Sequence, residues 1–298
     1  MRRRHLLGCL AALPLAHAPG RPAGIVQRPL ARVIVDNDFA GDPDGLVALA
    51  HQLLAPTTRT VLVTTSPLDA KLAALAGLDA GRTAAAGARL AGELLRFVRP
   101  AARPPIVAGD DAGAARAIVA EALRDDPLPL VLTCGGPLTN VAAALRLRPD
   151  IATRMRLVWI GGSAADDAGT EYNLMTDLAA ARYVFEDTRI PILQIPVEEY
   201  RRFQVSVAEL DAGFRAASPL ARWLYDRYRH LPPFVQPGGT LTFGDSPLVT
   251  ATAFDPAATP FTVRRVKERE VRMAHSLDPR LNYADLVALL RLDQKAPT

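Results

Sequence analysis

The run Val33-Ile34-Val35-Asp36-Asn37-Asp38-Phe39-Ala40-Gly41-Asp42-Pro43-Asp44 turns from an apolar, β-branched strand straight into a loop carrying four carboxylates. Residues 31–35 read as a short strand and residues 45–54 as the helix after it. Further strands are predicted at 60–65, 105–107, 128–133, 156–160 and 190–195. Helices are predicted at 68–78, 84–98, 112–123, 138–147 and 177–186 between them. The strands are near-continuous apolar runs alternating with helices. This predicts an α/β fold with a mostly parallel central sheet, helices on both faces and a Rossmann-like core. In such sheets ligands sit outside the carboxyl ends of the strands. The acidic loop lies at such an end.

Packing like charges at a strand end costs energy unless donors or a cation offset them. Hard divalent cations take oxygen ligands, and Ca²⁺ accepts several carboxylates together with carbonyls. The plainer reading is a solvated acidic turn in which Asp44 caps the helix.

The last third differs. Apolar residues at Leu210, Phe214, Leu220, Trp223, Leu224 and Tyr228 predict one or two amphipathic helices within 207–229. Pro232, Pro233 and Pro237 then break the chain. Residues 261–272 alternate and read as an antiparallel strand or hairpin, and 284–292 as a closing helix. No linker is evident, so residues 31–298 are expected to form one domain with a helical and short β C-terminal elaboration.

The N-terminus has the grammar of a secretory signal over residues 1–18: Arg2-Arg3-Arg4, an apolar stretch from Leu6 to Leu15, and Ala16-His17-Ala18 as the cleavage site. Residues 19–30 read as a leader. A periplasmic or secreted protein is expected; the tandem arginines suggest twin-arginine export, and Leu6-Leu7-Gly8-Cys9 resembles a lipobox. Without residues 1–18 the net charge falls from +4 to +1, because three Arg and no acid are lost. The charge therefore implies no nucleic-acid partner. The leading apolar run is too short to span a membrane. One cysteine, Cys134, remains and cannot form an internal disulfide.

The loop resembles the opening motif of the inosine–uridine-type nucleoside hydrolases, Asp-x-Asp-Pro-Gly-x-Asp-Asp. Asp36, Asp38 and Asp42 match in register; Asp44 is displaced by one residue, with Pro43 as an insertion. Four further segments follow in the family's order. They are Leu132-Thr133-Cys134-Gly135-Gly136-Pro137-Leu138-Thr139-Asn140, Val158-Trp159-Ile160-Gly161-Gly162, Glu171-Tyr172-Asn173-Leu174-Met175-Thr176-Asp177, and Gly244-Asp245-Ser246-Pro247-Leu248.

The resemblance implies a calcium-dependent hydrolase of the N-glycosidic bond of small-molecule ribonucleosides, giving free base and ribose. It implies Ca²⁺ on the side chains of Asp38, Asp44 and Asp245 and on the Gly135 carbonyl. Asp38 would be the base that activates water. Asp42 would hold the ribose 2′-hydroxyl, Asn173 and Asp245 the 3′-hydroxyl, and Glu171 the 5′-hydroxyl. Asp69 stands where the family approaches the sugar with a Gly-Asn pair. A homo-oligomer is left open.

The chain departs from the family at Gly244, where many members place a His that protonates the leaving base. Tyr225, Tyr228 and His230 are the candidates for that proton. Phe39 replaces the usual Pro beside the metal motif. Two other functional classes stand beside this reading. One is a catalytically idle or altered-specificity sugar- or nucleoside-binding relative. The other is a haloacid-dehalogenase-type phosphatase, which would need Lys71 and Asp166-Asp167 to serve its phosphate and metal. His51 and Trp159 read as packing residues and Cys134 as an inert thiol. Residues 264–272 read as a solvated edge.

Overall fold

Strand β1 (Ala31–Asn37) is buried at every position, as a central parallel strand covered on both faces must be. The computed structural model describes residues 25–99, 103–109, 111–165, 171–231 and 236–294. The signal segment 1–18 and leader residues 19–24 lie outside these; residues 25–30 are exposed and outside any helix or strand.

The other strands are β2 (Thr58–Thr65), β3 (Ile106–Ala108), β4 (Leu130–Cys134), β5 (Met155–Ile160), β6 (Ile192–Ile195), β7 (Gln204–Ser206), β8 (Thr240–Thr242), β9 (Phe261–Val266) and β10 (Arg269–Ala274). The main sheet runs β3-β2-β1-β4-β5-β6-β10-β9, and β7 pairs with β8 apart from it. All its pairings are parallel except β10 with β9. The mostly parallel α/β sheet expected from the sequence is therefore present, and the direction of winding reverses between β1 and β4.

The faces of β1 divide the core. Ile34 packs with Leu132, Leu157, Trp159 and the helices Gly113–Ala122 and Thr139–Leu147. Val33 and Val35 pack with Leu46, Leu49, Leu94, Phe214 and Leu286 on the opposite face. Trp159 is 1% exposed and donates its Nε1–H to Gly136 O at 3.0 Å.

Several expected elements change shape where a polar side chain competes for the backbone. The helix expected over 68–78 is only Ala70–Leu75, because Asp69 caps it through Lys71 N and Leu72 N and Gly77 turns left-handed at φ +71°. The segment 177–186 becomes Leu178–Arg182, capped by Asp177, running into a π-turn at Tyr183–Asp187. Pro219 and the Ser218 cap start a fresh helix, Pro219–Tyr228. The C-terminal hairpin joins the sheet: β10 extends it in parallel beside β6, and the exposed β9 forms its edge. Among the described residues no helix is long and apolar enough to cross a membrane.

Candidate active site

Asp38 follows the end of β1, and Gly41 N closes the loop by donating to Asp38 O at 2.8 Å. Asp42 Oδ1 accepts from Asp44 N at 3.2 Å, so Asp42 steadies the entry to the helix Asp44–Leu54. Asp44 is that helix's first residue, and its Oδ2 accepts the backbone N–H of Asp245 at 3.1 Å. Asp245 Oδ2 in turn accepts from Asn37 Nδ2 at 2.8 Å. Acids 201 residues apart in the chain thus meet at the β1 end.

The end of β4 completes that rim. A Cβ at Gly135 would lie 2.7 Å from Asp245 Cγ, so only glycine lets this backbone approach so closely. Asn173 Nδ2 donates to Ile160 O at 2.9 Å and Gly135 O at 3.3 Å, tying the β4 and β5 ends together. Glu171 caps the helix Tyr172–Thr176, which the strand–helix alternation alone does not predict. Its Oε2 accepts Gly162 N at 2.7 Å and Leu174 N at 2.8 Å; its Oε1 accepts the Tyr200 hydroxyl at 3.0 Å and Asn173 N at 3.2 Å. Below the rim, Asp36 accepts from Thr64 Oγ1 at 2.6 Å and Asn140 Nδ2 at 2.8 Å.

These residues face one cavity of about 290 Å³, lined by Asp38, Asp42, Asp44, Gly135, Glu171, Asn173 and Asp245 among others. Its remaining wall is largely aliphatic: Leu68, Leu72, Ala76, Leu78, Ile160 and Leu231. No Lys, Arg or His is among the described lining residues. Burial, reinforced by the Asp245 charge, raises the pKa of both Asp38 and Asp44 well above the usual carboxylate range. Burial raises Asp245 to about 8, against the opposing Asn37 hydrogen bond. Asn37 Oδ1 is buried with no partner. Among the described residues no three His, Cys, Asp or Glu side chains form a ready-made metal cluster. The rim instead offers hard oxygen donors with no cationic side chain among the described lining residues, and that chemistry suits a hard divalent cation.

The other expected residues fall elsewhere. Asp69 is absent from the cavity lining; its carboxylate is committed to the helix cap, while its backbone N–H donates to the Tyr172 hydroxyl at 3.2 Å. The Tyr225 hydroxyl donates to Asp211, and exposed His230 places Nδ1 2.8 Å from Asp226 O. Tyr228 stacks on Phe243 at 5.6 Å; its hydroxyl is buried, lacks a partner and feels the charges of Asp44, Asp42 and Asp245. None of these three lines the cavity. His51 is fully buried, 2.9 Å from Asp285 Oδ2, and packs edge-on to Phe254. Cys134 is buried, and burial pushes its thiol well up, as an inert residue requires. Lys71 is exposed and outside the lining, and Asp166-Asp167 lie outside the described residues.

Motif reasoning did not single out Asn37, Tyr172, Tyr200 or the leucine wall. Asn37 carried a positional signal, lying between two acids at a strand end. The leucines carried none, since their apolar faces read equally well as core.

A parallel α/β sheet with an acid-rich cavity at the point where its winding reverses defines a class that binds small polar molecules at strand ends. Within that class, the chain belongs to the inosine-uridine preferring nucleoside hydrolase family, whose sequence pattern matches residues 33–288. It is 32% identical over 108 residues to the pyrimidine-specific ribonucleoside hydrolase RihA of Salmonella arizonae, covering 35% of this chain and 34% of that protein. The chain thus spans about a third of the length of the curated relatives it matches. Two solved structures share the fold. A plant nucleoside hydrolase superposes with a TM-score of 0.66 at 18% identity, over 90% of this chain and 100% of that one. The inosine-uridine preferring nucleoside hydrolase of Bacillus anthracis superposes with a TM-score of 0.65 at 16% identity, over 88% and 99%.

Proposed function

We propose that the protein hydrolyses the N-glycosidic bond of a ribonucleoside, with Ca²⁺ held by Asp38, Asp44, Asp245 and the Gly135 carbonyl. The observation that carries this reading is the Asp245 N–H to Asp44 Oδ2 bond, which brings the chain-distant acids of the motif to one cavity. A calcium ion bound there would supply the charge that offsets the crowded carboxylates and lowers the pKa of a nearby water.

Asp38 is the base in this scheme: its carboxylate takes a proton from the water that attacks C1′. The transition state is oxocarbenium-like, as in glycoside hydrolysis, so the ring of carboxylates stabilises it by charge. Asp42 accepts from the 2′-hydroxyl, and Asn173 with Asp245 holds the 3′-hydroxyl. That grip places C1′ beside the water. It also favours ribose over 2′-deoxyribose, which lacks the hydroxyl that Asp42 would accept from. Glu171 already accepts four protein donors, so it supports the wall, and a 5′-hydroxyl reaching Oε1 competes there with Tyr200. Action outside the cytoplasm is supported by the N-terminal sequence alone.

The test is a panel of ribonucleosides assayed for free base and ribose, with calcium and with a chelator. Asp38→Ala is expected to lose more than ~100-fold in kcat/KM, over ~2.7 kcal/mol of transition-state stabilisation. Unchanged turnover in that variant removes Asp38 from the chemistry. Binding without product release would leave the idle-relative reading standing instead.

A further inference from the structure

A second cavity, of about 160 Å³, shares no described lining residue with the first. Gly162 and Leu174 line it, and their backbone N–H groups donate to Glu171 Oε2 at 2.7 and 2.8 Å, so the two cavities are neighbours. Much of the second lining is apolar: Trp159, Leu174, Phe185 and Val266. Trp159 meets Phe185 edge-on, with 5.3 Å between ring centroids, and its indole N–H is spent on Gly136 O. The indole therefore offers only carbon surface. An apolar cavity of roughly 150 Å³ takes one benzene-sized ring.

Polar groups set what that ring must carry. Gln194 is 5% exposed, and its Nε2 donates to Gly161 O at 2.8 Å, which fixes the amide's orientation. A Cβ at Gly162, left-handed at φ +67°, would lie 2.6 Å from that nitrogen, so glycine is required beside it. Gln194 Oε1 has no hydrogen-bond partner among the described residues, which leaves an unused acceptor on a buried lining residue. A ligand donor would satisfy it. Arg182 ends the helix Leu178–Arg182, lines the cavity and forms no ion pair among the described residues. Arg264 also lines the cavity and is already engaged, its Nη1 donating to Ser163 O at 3.4 Å. Glu186 is the acid among the described lining residues, and Lys267 Nζ meets it at 2.5 Å. This balance favours an anion, whereas the first cavity, lined by carboxyl groups, repels one.

We propose that the second cavity binds a planar single-ring carboxylate with a ring N–H. The ring packs against Trp159 and Phe185, the N–H donates to Gln194 Oε1, and Arg182 holds the carboxylate by charge-assisted hydrogen bonds. The two neighbouring cavities thus sort their ligands by charge.

The probe is orotate, a pyrimidine carboxylate with ring N–H groups; uracil lacks its carboxylate, and benzoate lacks its N–H. Calorimetric titration of the full chain is expected to give a Kd for orotate below ~1 mM. Uracil and benzoate are each expected to bind at least ~10-fold more weakly. Arg182→Ala and Gln194→Leu are each expected to weaken orotate by at least ~10-fold. Arg182 is exposed, so its variant keeps the fold, and the benzoate comparison reads the Gln194 acceptor without any substitution. No orotate binding at ~1 mM overturns the proposal. So does uracil or benzoate binding as tightly as orotate. Unchanged orotate affinity in Arg182→Ala places the ligand elsewhere and overturns it too. None of these outcomes bears on the hydrolase reading, which concerns the first cavity.

Discussion

Asn37 and Gly135 show how single residues shape the rim. Asn37 holds Asp245 with one amide atom, and the other, Oδ1, is buried without a partner. Gly135 leaves room for that pair by having no side chain. Gly135→Ala would put a methyl group 2.7 Å from Asp245 Cγ, where backbone and carboxylate must both shift. The expected cost is about 1–3 kcal/mol, as for other overpacked sites. Urea denaturation measures it, and calcium should raise the melting temperature of the variant less than that of the parent protein. An unchanged denaturation midpoint would mean that the rim is looser than described. Gly244 is similarly confined, since a Cβ there would meet Asp44 Oδ2 at 2.9 Å.

At the scale of elements, β1 positions most of the site and is itself fixed from behind. Arg32 forms a buried ion pair with Glu121, on the helix Gly113–Ala122, and donates through Nε to Leu128 O at 3.3 Å. Without Arg32 the buried Glu121 keeps only Arg124, a largely exposed guanidinium 2.8 Å away, and loses its buried partner. Arg32→Leu is therefore expected to destabilise the fold by about 3 kcal/mol, read from the denaturation midpoint. The residual activity of the folded fraction should stay close to that of the parent, because Arg32 is remote from the cavity lining. A variant as stable as the parent would show that solvent reaches Glu121 more freely than its burial suggests. The helix Tyr172–Thr176 is one of the elements the strand–helix pattern missed, with the helix Pro247–Ala253 and the β7–β8 pair among the others. It has only five residues, too few for periodicity to register, and is held by the Glu171 cap.

At the scale of the molecule, the acid rim sets how stability follows pH. Asp38 and Asp44 are held well above the ordinary carboxylate value, and Asp245 at about 8. A carboxyl whose pKa is higher in the folded than in the unfolded state stabilises the fold fully only below its unfolded value, about 3.9. That contribution is lost as pH rises towards about 8. Asp126, held down chiefly by the Leu128 N–H, and Asp150, held down chiefly by Arg148, act in the opposite sense, but both are exposed to solvent screening. The chelator-treated protein is thus expected to show a lower urea midpoint at pH 8 than at pH 5, with calcium narrowing the gap. A midpoint that is flat or rises with pH would contradict the uncompensated acid rim. Much of this architecture was legible in the chain. Apolar runs at strand period and length, each followed by a helix, are enough to specify a parallel α/β sheet, because only burial on both faces rewards such runs. The spacing of Asp36, Asp38 and Asp42 and the four later motifs named the acids, because polar residues at strand ends have few structural uses. What only the tertiary structure decided is which groups share a cavity. It turned Asp69 to a helix cap, committed Glu171 to four protein donors, put Tyr225 and His230 outside the lining, and made a wall from scattered leucines. Such contacts join residues far apart in sequence, and local periodicity carries no information about which distant side chains close the same space.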